Sequence, residues 1–201
     1  MLIFFNGYLG FGSPQGGRVY WNENFISGAK SYFKDQSHPY FTDIDYRPFS
    51  FASKRQTEGY EYARDNYKSL IDGLNTDEPF RIIAHSMGSA LAVGTKKLLE
   101  ERGWKIETMV FLNSFQSDKI KINKKEGTLI IDYQNTNDPV TNGFDLSWGH
   151  DKKIEHADFK IREKSNNNLS YRHRGPISSG NEFWDNLVQK CTESKTQIKR
   201  K

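Results

Sequence analysis

The feature that most constrains this chain is one serine placed between an apolar run and a helical pattern. Residues 80–84 form a short apolar run typical of a buried strand. Apolar and small residues then recur at helical spacing, at Met87, Ala90, Leu91, Gly94 and Leu98. Small residues flank Ser86 two positions away, at Ala84 and Gly88. Because bulky flanking side chains would collide with strand and helix, this pattern predicts a sharp, strained turn with the Ser86 hydroxyl at the helix N-terminus.

The rest of the chain alternates strand patterns with helical patterns. We expect strands at residues 2–6, 40–46, 80–84, 108–112 and 128–132. We expect helices at about 23–34, at 57–72, between Ser86 and Gly103, and around 183–188. Such alternation predicts an α/β fold, a three-layer sandwich with a mostly parallel central sheet. At 201 residues a single core is expected. The predicted domain spans 1–194, and a basic C-terminal tail follows at 195–201.

The segment Ala84-His85-Ser86-Met87-Gly88 resembles the nucleophile elbow of α/β-hydrolases. In detail it is similar to the variant of some small bacterial lipases, which carry alanine in place of the first glycine. The resemblance implies a minimal, cutinase-like or small-lipase α/β-hydrolase fold without a cap domain. It also implies that Ser86 is a nucleophile. The alternative interpretation is an ordinary strand–helix junction in which Ser86 only caps the helix.

The family's chain order places an acid and then a histidine after the nucleophile. Asp138 lies in a turn-rich loop beyond the fifth expected strand, and this position resembles the acid loop of lipases. Asp132 and Asp145 compete with it. Three histidines follow Asp138 in the chain: His150, His156 and His173. The resemblance favours His173 as the base, in a loop just before the last helix, and His150 is the second choice.

An acyl-transfer site of this family also needs two amides that stabilise the developing oxyanion. The resemblance assigns one to Met87, directly after the nucleophile. The loop after the first strand, Asn6-Gly7-Tyr8, looks like the family's His-Gly loop with asparagine in place of histidine, which points to the Tyr8 amide. The alternative is that Asn6-Gly7 is only a turn. Substrate contacts are expected from Gly7, His85 and Phe11.

The resemblance implies no cofactor and no metal. Cys191 is the single cysteine, so an internal disulfide and a thiolate metal site are both excluded. An alternative is metal chemistry within residues 150–158, where histidine and carboxylate side chains crowd together. Their spacing matches no common metal pattern.

The resemblance implies a carboxylic ester hydrolase, of the lipase or esterase class, that cleaves lipids such as phospholipids through an acyl-enzyme intermediate. A thioesterase or a soluble carboxylesterase is the alternative within the enzymes. A non-catalytic module that binds anionic lipid or nucleic acid is the alternative outside them. As an enzyme, the protein is expected to bind a lipid or small ester and no nucleic acid. Its net charge of +4 suits peripheral contact with an anionic membrane.

The N-terminal apolar run is too short for a membrane span or a signal peptide, and no basic segment precedes it. We therefore expect a cytoplasmic protein, or one exported by a route that reads no N-terminal signal. A toxin or a defence effector would fit this expectation. The sequence leaves the oligomeric state and any inhibitor partner open.

Overall fold

The structure is a computed structural model that describes residues 1–10, 15–47, 50–138, 140, 153–164 and 169–198. Within these residues, parallel strands form one sheet in the order β2-β1-β3-β4-β5-β6. The strands are β1 Leu2–Phe5, β2 Tyr40–Phe41, β3 Phe80–His85, β4 Ile106–Leu112, β5 Leu129–Asn135 and β6 Phe159–Glu163. Their carboxyl ends meet at one edge, which is where open α/β sheets bind ligands.

Helices cover both faces of this sheet. They are α1 Glu23–Phe33, α2 Ala52–Asp65, α3 Tyr67–Ile71, α4 Gly88–Glu101, α5 Leu169–Ser178 and α6 Asn181–Ile198. Short 3-10 turns lie at Gly17–Tyr20 and Ser117–Lys119. Strand β1 is buried along its whole length, and its alternate side chains enter two separate apolar cores. Ile3 and Phe5 face the core of α2, α3 and α4, while Leu2 and Phe4 face the core of α1, α5 and α6.

This arrangement confirms the predicted fold class, a three-layer α/β sandwich with a parallel central sheet, as in an α/β-hydrolase-like fold. The sheet is parallel throughout its described strands. Residues 113–128, which join β4 to β5, are all described and contain one 3-10 turn as their regular structure. No cap domain is therefore inserted at this connection.

Several element boundaries differ from the sequence prediction. The strand expected at 40–46 is only the two-residue β2, because the following Ile44 amide donates to the Asn6 side chain instead of to a neighbouring strand. The helix expected at 57–72 begins earlier, at Ala52, and breaks at Asn66. There the Asn66 side chain donates to the Tyr62 carbonyl, at 2.9 Å, and competes with continued helix.

Two elements were not predicted at all, namely β6 and α5. Helix α6 continues to Ile198, past the boundary expected at 194. The division into a domain and a tail therefore stays a prediction. Among the residues that the structure describes, none of the helices has the length and apolarity that a membrane crossing requires.

Candidate active site

Ser86 lies on a sharp turn between β3 and α4 at the carboxyl edge of the sheet. Its φ angle is 53°, in the left-handed region that non-glycine residues rarely adopt. Such a conformation costs about 1–3 kcal/mol and persists only where the surroundings impose it. Here the Ser86 amide donates to the Leu112 carbonyl at 2.9 Å, and the Ser86 carbonyl accepts from the Ser89 and Phe115 amides, each at 3.2 Å. The turn has the strained geometry that the flanking small residues predict.

Two glycines allow the backbone to approach this turn closely. A Cβ atom on Gly88 would lie 2.8 Å from the Phe5 carbonyl oxygen and would collide with that of Asn6. A Cβ atom on Gly7 would lie 2.8 Å from Ser86 Cβ. The loop after β1 therefore passes directly against the nucleophile turn.

Three of the predicted residues form one hydrogen-bonded chain. His173 Nε2 lies 2.9 Å from Ser86 Oγ, and His173 Nδ1 lies 2.7 Å from Asp138 Oδ2. All three side chains are buried. Because a carboxylate only accepts, Nδ1 carries the proton, and Nε2 accepts from the Ser86 hydroxyl. The array can take a proton from Ser86 as its oxygen attacks an electrophile.

Asp138 is fixed by its own loop. Its Oδ1 accepts from the Val140 amide at 2.9 Å, and its backbone amide donates to the Asn135 carbonyl at 3.1 Å. The carboxylate is fully buried. The two carboxylate oxygens therefore bind different groups: Oδ1 binds the loop, and Oδ2 binds His173.

His173 was expected in a loop, and that expectation is wrong, because the residue lies within α5. Helix α5 contains Pro176 and carries several charged and polar residues, so its sequence has little helical signal. Of the two other candidate bases, the structure describes His156 alone. His156 is exposed, in a turn before β6, and His150 lies outside the described residues.

The competing acid Asp132 has a structural role instead. It is fully buried on β5, and Oδ2 accepts from Arg162 at 2.7 Å and from the Ile154 amide at 3.1 Å. Burial raises the pKa of this carboxyl, and the Arg162 guanidinium opposes the increase. Asp132 thus ties β5 to β6 and to the segment before β6. The third candidate acid, Asp145, lies outside the described residues.

His85 was expected to contact substrate, but the structure places it behind Ser86. It has no exposed surface, and both ring nitrogens are bonded within the protein. Nε2 lies 2.9 Å from the His173 carbonyl, and Nδ1 lies 2.5 Å from the Tyr20 hydroxyl. Burial, with the nearby His173 and Arg174, holds the pKa of His85 well below its usual range, so the ring is neutral.

The proton positions in this pair follow from chemistry. The His173 carbonyl can only accept, so His85 Nε2 carries the proton and Nδ1 accepts from the Tyr20 hydroxyl. Burial raises the pKa of Tyr20, so the hydroxyl keeps its proton. The nearby Arg174 and the Gly7 backbone, which lies against the hydroxyl, lower that pKa in part.

Of the two residues predicted to form the oxyanion hole, one directly follows Ser86 and the other follows Gly7, whose backbone lies against Ser86. Met87 follows it directly and precedes the first residue of α4. Tyr8 follows Gly7 in the loop that passes the nucleophile, and Asn6 holds this loop in place. Asn6 Nδ2 donates to the Gly7 carbonyl at 2.9 Å and to the Ile44 carbonyl at 2.8 Å. The roles of the Met87 and Tyr8 amides stay predictions, and Phe11 lies outside the described residues.

Tyr20, Asn113 and Asn135 adjoin the site, and the sequence predicted none of their hydrogen bonds there. Asn113 follows β4 with a φ angle of 45°, and its Oδ1 accepts from the Asn135 amide at 2.7 Å. A polar residue immediately after a buried strand, at the edge where Ser86 lies, is the signal that could have found Asn113. Tyr20 gave no such signal, because its contact with His85 spans sixty-five positions of the chain.

Within the described part of the chain, no cluster of three or more histidine, cysteine or carboxylate side chains is arranged to hold a metal ion. The metal alternative at 150–158 includes residues 150–152, which lie outside that part. No step at this site is assigned to a metal.

The sequence matches no protein-family model and no curated protein. Similar solved structures include YbtT, a type II thioesterase from the yersiniabactin NRPS/PKS biosynthetic pathway, at 11% identity and a TM-score of 0.42. That alignment covers 94% of this chain and 91% of YbtT. RedJ, a thioesterase from the prodiginine pathway in Streptomyces coelicolor, is 11% identical with a TM-score of 0.45, over 94% of this chain and 84% of RedJ. Likeness of this strength carries no information on what this chain acts on.

Proposed function

We propose that this chain, which has the α/β-hydrolase fold, is a serine hydrolase that cleaves carboxylic esters of lipids. The observation that carries the proposal is the buried chain of hydrogen bonds from Ser86 through His173 to Asp138. A helix-capping serine would need neither a histidine at 2.9 Å nor a carboxylate behind that histidine. The strained backbone of Ser86 supports the same proposal, since strain of this kind is concentrated at active sites.

The reaction proceeds in two halves. Ser86 Oγ attacks the ester carbonyl while His173 Nε2 takes the hydroxyl proton, and the Met87 and Tyr8 amides stabilise the oxyanion. The carbon–oxygen bond to the leaving group then breaks, and His173 gives its proton to the departing alkoxide. Water, deprotonated by the same nitrogen, attacks the acyl-Ser86 ester and releases the carboxylic acid. Asp138 stabilises the imidazolium that forms in each half.

A lipid ester is supported by the absence of a cap between β4 and β5 and by the positive charge of the chain. Residues 113–128 leave no inserted domain over that part of the carboxyl edge. A net charge of +4 favours an anionic lipid surface, at about 1 kcal/mol for each basic side chain that reaches it. The acyl-enzyme is the same for an oxygen ester and a thioester, so only the leaving group separates lipase from thioesterase chemistry.

The first test is labelling by a fluorophosphonate probe. We expect the unmutated protein to label, and Ser86→Ala and His173→Ala to lose at least about 10³-fold in rate. His156→Ala, an exposed histidine away from Ser86, is the matched control and should label normally. An unmutated protein that never labels would favour the binding-module interpretation.

The second test compares leaving groups on one acyl chain. Vesicles of phosphatidylglycerol and of phosphatidylcholine, a soluble aryl ester and an acyl-CoA thioester are offered to the same enzyme. We expect the anionic vesicles to be hydrolysed fastest, with rates that fall as salt screens the surface. Hydrolysis of the thioester alone would overturn the lipid-ester assignment and keep the serine hydrolase.

A further inference from the structure

The helix that carries His173 contains a proline at a critical position. In a regular helix the Arg172 carbonyl accepts from the amide four residues later, which is that of Pro176. Proline has no N–H, and its ring also crowds the carbonyl four residues before it. The helix itself therefore cannot supply this hydrogen bond to the Arg172 carbonyl.

Side chains from the sheet edge supply it instead. Asn113 Nδ2 donates to the Arg172 carbonyl at 2.9 Å and to the His173 carbonyl at 2.7 Å. Asn135 Nδ2 also donates to the Arg172 carbonyl. His85 Nε2 donates to the His173 carbonyl at 2.9 Å. The last residue of β3, the residue after β4 and the last residue of β5 thus hold two consecutive carbonyls of α5.

These hydrogen bonds constrain the rotation of α5 about its own axis. Carbonyls 172 and 173 are bound on the side of the helix that faces the sheet, and the His173 ring projects from the same turn toward Ser86. A helix residue advances by about 100° around the axis, so a small rotation would move the ring. A displacement of about 1 Å in a catalytic group can cost a hundredfold in rate.

The hydrogen bonding continues through Tyr20 to the opposite side of the site. The Tyr20 hydroxyl donates to His85 Nδ1 and lies against the Gly7 backbone. Arg174, two residues before Pro176, donates to the Tyr20 carbonyl at 3.0 Å. The loop that bears the predicted oxyanion amide and the helix that bears the base are therefore connected through one buried Tyr–His pair.

We propose that His85 and Asn113 are positioning residues for the general base: Asn113 supplies the hydrogen bond that Pro176 cannot, and His85 holds the next carbonyl of the same helix. Both bind the main chain of α5, and the His85 ring also packs against the His173 ring, with the ring centroids 4.7 Å apart. The inference rests on the proposed function, because it assigns these residues to the base of that same site. It predicts that the hydrogen bond which His85 donates, more than the volume of its ring, sustains the reactivity of Ser86.

Two substitutions at His85 separate donation from packing. His85→Gln keeps an N–H donor at a reach close to that of Nε2, whereas His85→Met has a similar length and no donor. Asn113→Gly removes both donated hydrogen bonds and relieves the positive φ angle, so backbone strain does not confuse its effect. Ile106→Val, at the opposite end of β4, is a control for a small loss of stability in the core.

The experiment measures the fluorophosphonate labelling rate of each variant, together with the downfield proton resonance of His173 Nδ1–H on Asp138. We expect His85→Met and Asn113→Gly to label about tenfold to a hundredfold more slowly, and to shift or lose the resonance. His85→Gln should recover most of the rate, and Ile106→Val should match the unmutated protein in both measurements.

Wild-type rates and an unchanged resonance in both His85→Met and Asn113→Gly would overturn the inference. So would equal slowing in His85→Gln and His85→Met, since the donated hydrogen bond would then be irrelevant, or slowing without any change of the resonance. If the unmutated protein does not label, the hydrolase proposal fails separately. The resonance, which needs no turnover, then decides the positioning role by itself.

Discussion

At the scale of single residues, the site separates the proposed catalytic side chains from those that hold them. Ser86 and His173 are almost fully buried, and a hydrogen bond joins their side chains. His85 and Tyr20 lie behind them and keep neutral forms, because burial lowers the pKa of His85 and raises that of Tyr20. Neutrality matters here, since a protonated His85 would have no acceptor for the Tyr20 hydroxyl.

Two buried aspartates give a matched pair of predictions. Asp138→Asn should reduce the hydrolysis rate by about 10³–10⁴-fold, since an amide that donates to Nδ1 imposes the wrong tautomer on His173. Asp132→Asn should leave that rate nearly unchanged at low temperature. It should lower the free energy of unfolding by about 3 kcal/mol, because the Arg162 charge is left without its carboxylate.

Enzyme assays and urea unfolding on both variants check this division. Similar losses of activity in the two variants would contradict it and would bring Asp132 back as a candidate acid. A stable Asp132→Asn variant would instead contradict the structural role of the Asp132–Arg162 pair.

At the scale of elements, α4 is held against α2 by direct backbone contact. A Cβ atom on Gly94 would collide with the Gln56 carbonyl of α2, and one on Gly59 would collide with the Leu91 carbonyl of α4. The Thr95 hydroxyl donates to the Gly59 carbonyl at 3.0 Å. The helix that begins immediately after Met87 is thereby fixed along its length, which keeps its N-terminus aligned with the nucleophile.

Gly94→Ala tests this contact, because its effect on stability should have the opposite sign from that in an unobstructed helix. In an unobstructed helix the change would stabilise by up to about 1 kcal/mol. Here it should destabilise by about 1–3 kcal/mol, because the α2 backbone must move. Lys97→Ala, at an exposed position of the same helix, is the control and should change little. Thermal unfolding measures both variants, and a more stable Gly94→Ala variant would show that the helices are not in contact there.

The sequence predicted the elements whose local signals agree and missed those whose structure depends on distant contacts. The strand ending at His85 and helix α4 follow from an apolar run, small flanking residues and helical spacing. Helix α5 was missed because Pro176 argues against a helix when α5 is considered alone. Strand β6 was missed because Lys160, Arg162 and Glu163 leave few apolar residues in its five positions.

The same distinction applies to the candidate site. Ser86 was identified by local sequence, and Asp138 and His173 by their order in the chain. Tyr20 and Asn113 became visible only in the fold, since each acts on a segment about sixty positions away. The predicted contact of His85 with substrate rests only on its position next to Ser86. Alternation along β3 sends its side chain to the other face from Ala84, and there it meets Tyr20 and His173.

At the scale of the whole molecule, the site is assembled from segments that only the complete sheet brings together. The loop after β1, the turn after β3, the loop after β5 and helix α5 all meet at the carboxyl edge. Global stability and the integrity of the site are therefore coupled, and His85 contributes to each of them. A buried histidine that remains neutral makes the stability of the fold depend on pH.

The sign of that dependence follows from proton binding. In the unfolded chain His85 binds a proton as the pH falls through about 6.5, while in the folded protein burial, His173 and Arg174 keep it neutral. Its contribution to stability is therefore complete above about pH 6.5 and is lost as the pH falls toward the lower folded pKa. For one proton the loss is up to about 1.4 kcal/mol per pH unit.

His85→Gln removes this titration while keeping the donor to the His173 carbonyl. The free energy of unfolding, measured in urea between about pH 7 and pH 5, should then fall less steeply with acid than in the unmutated protein, by up to that single-proton slope. His156→Gln, a change at an exposed histidine, is the control and should keep the unmutated slope. Parallel pH profiles for His85→Gln and the unmutated protein would mean that His85 takes up its proton in the folded state. It would then be charged in the acid range and would have no acceptor for the Tyr20 hydroxyl.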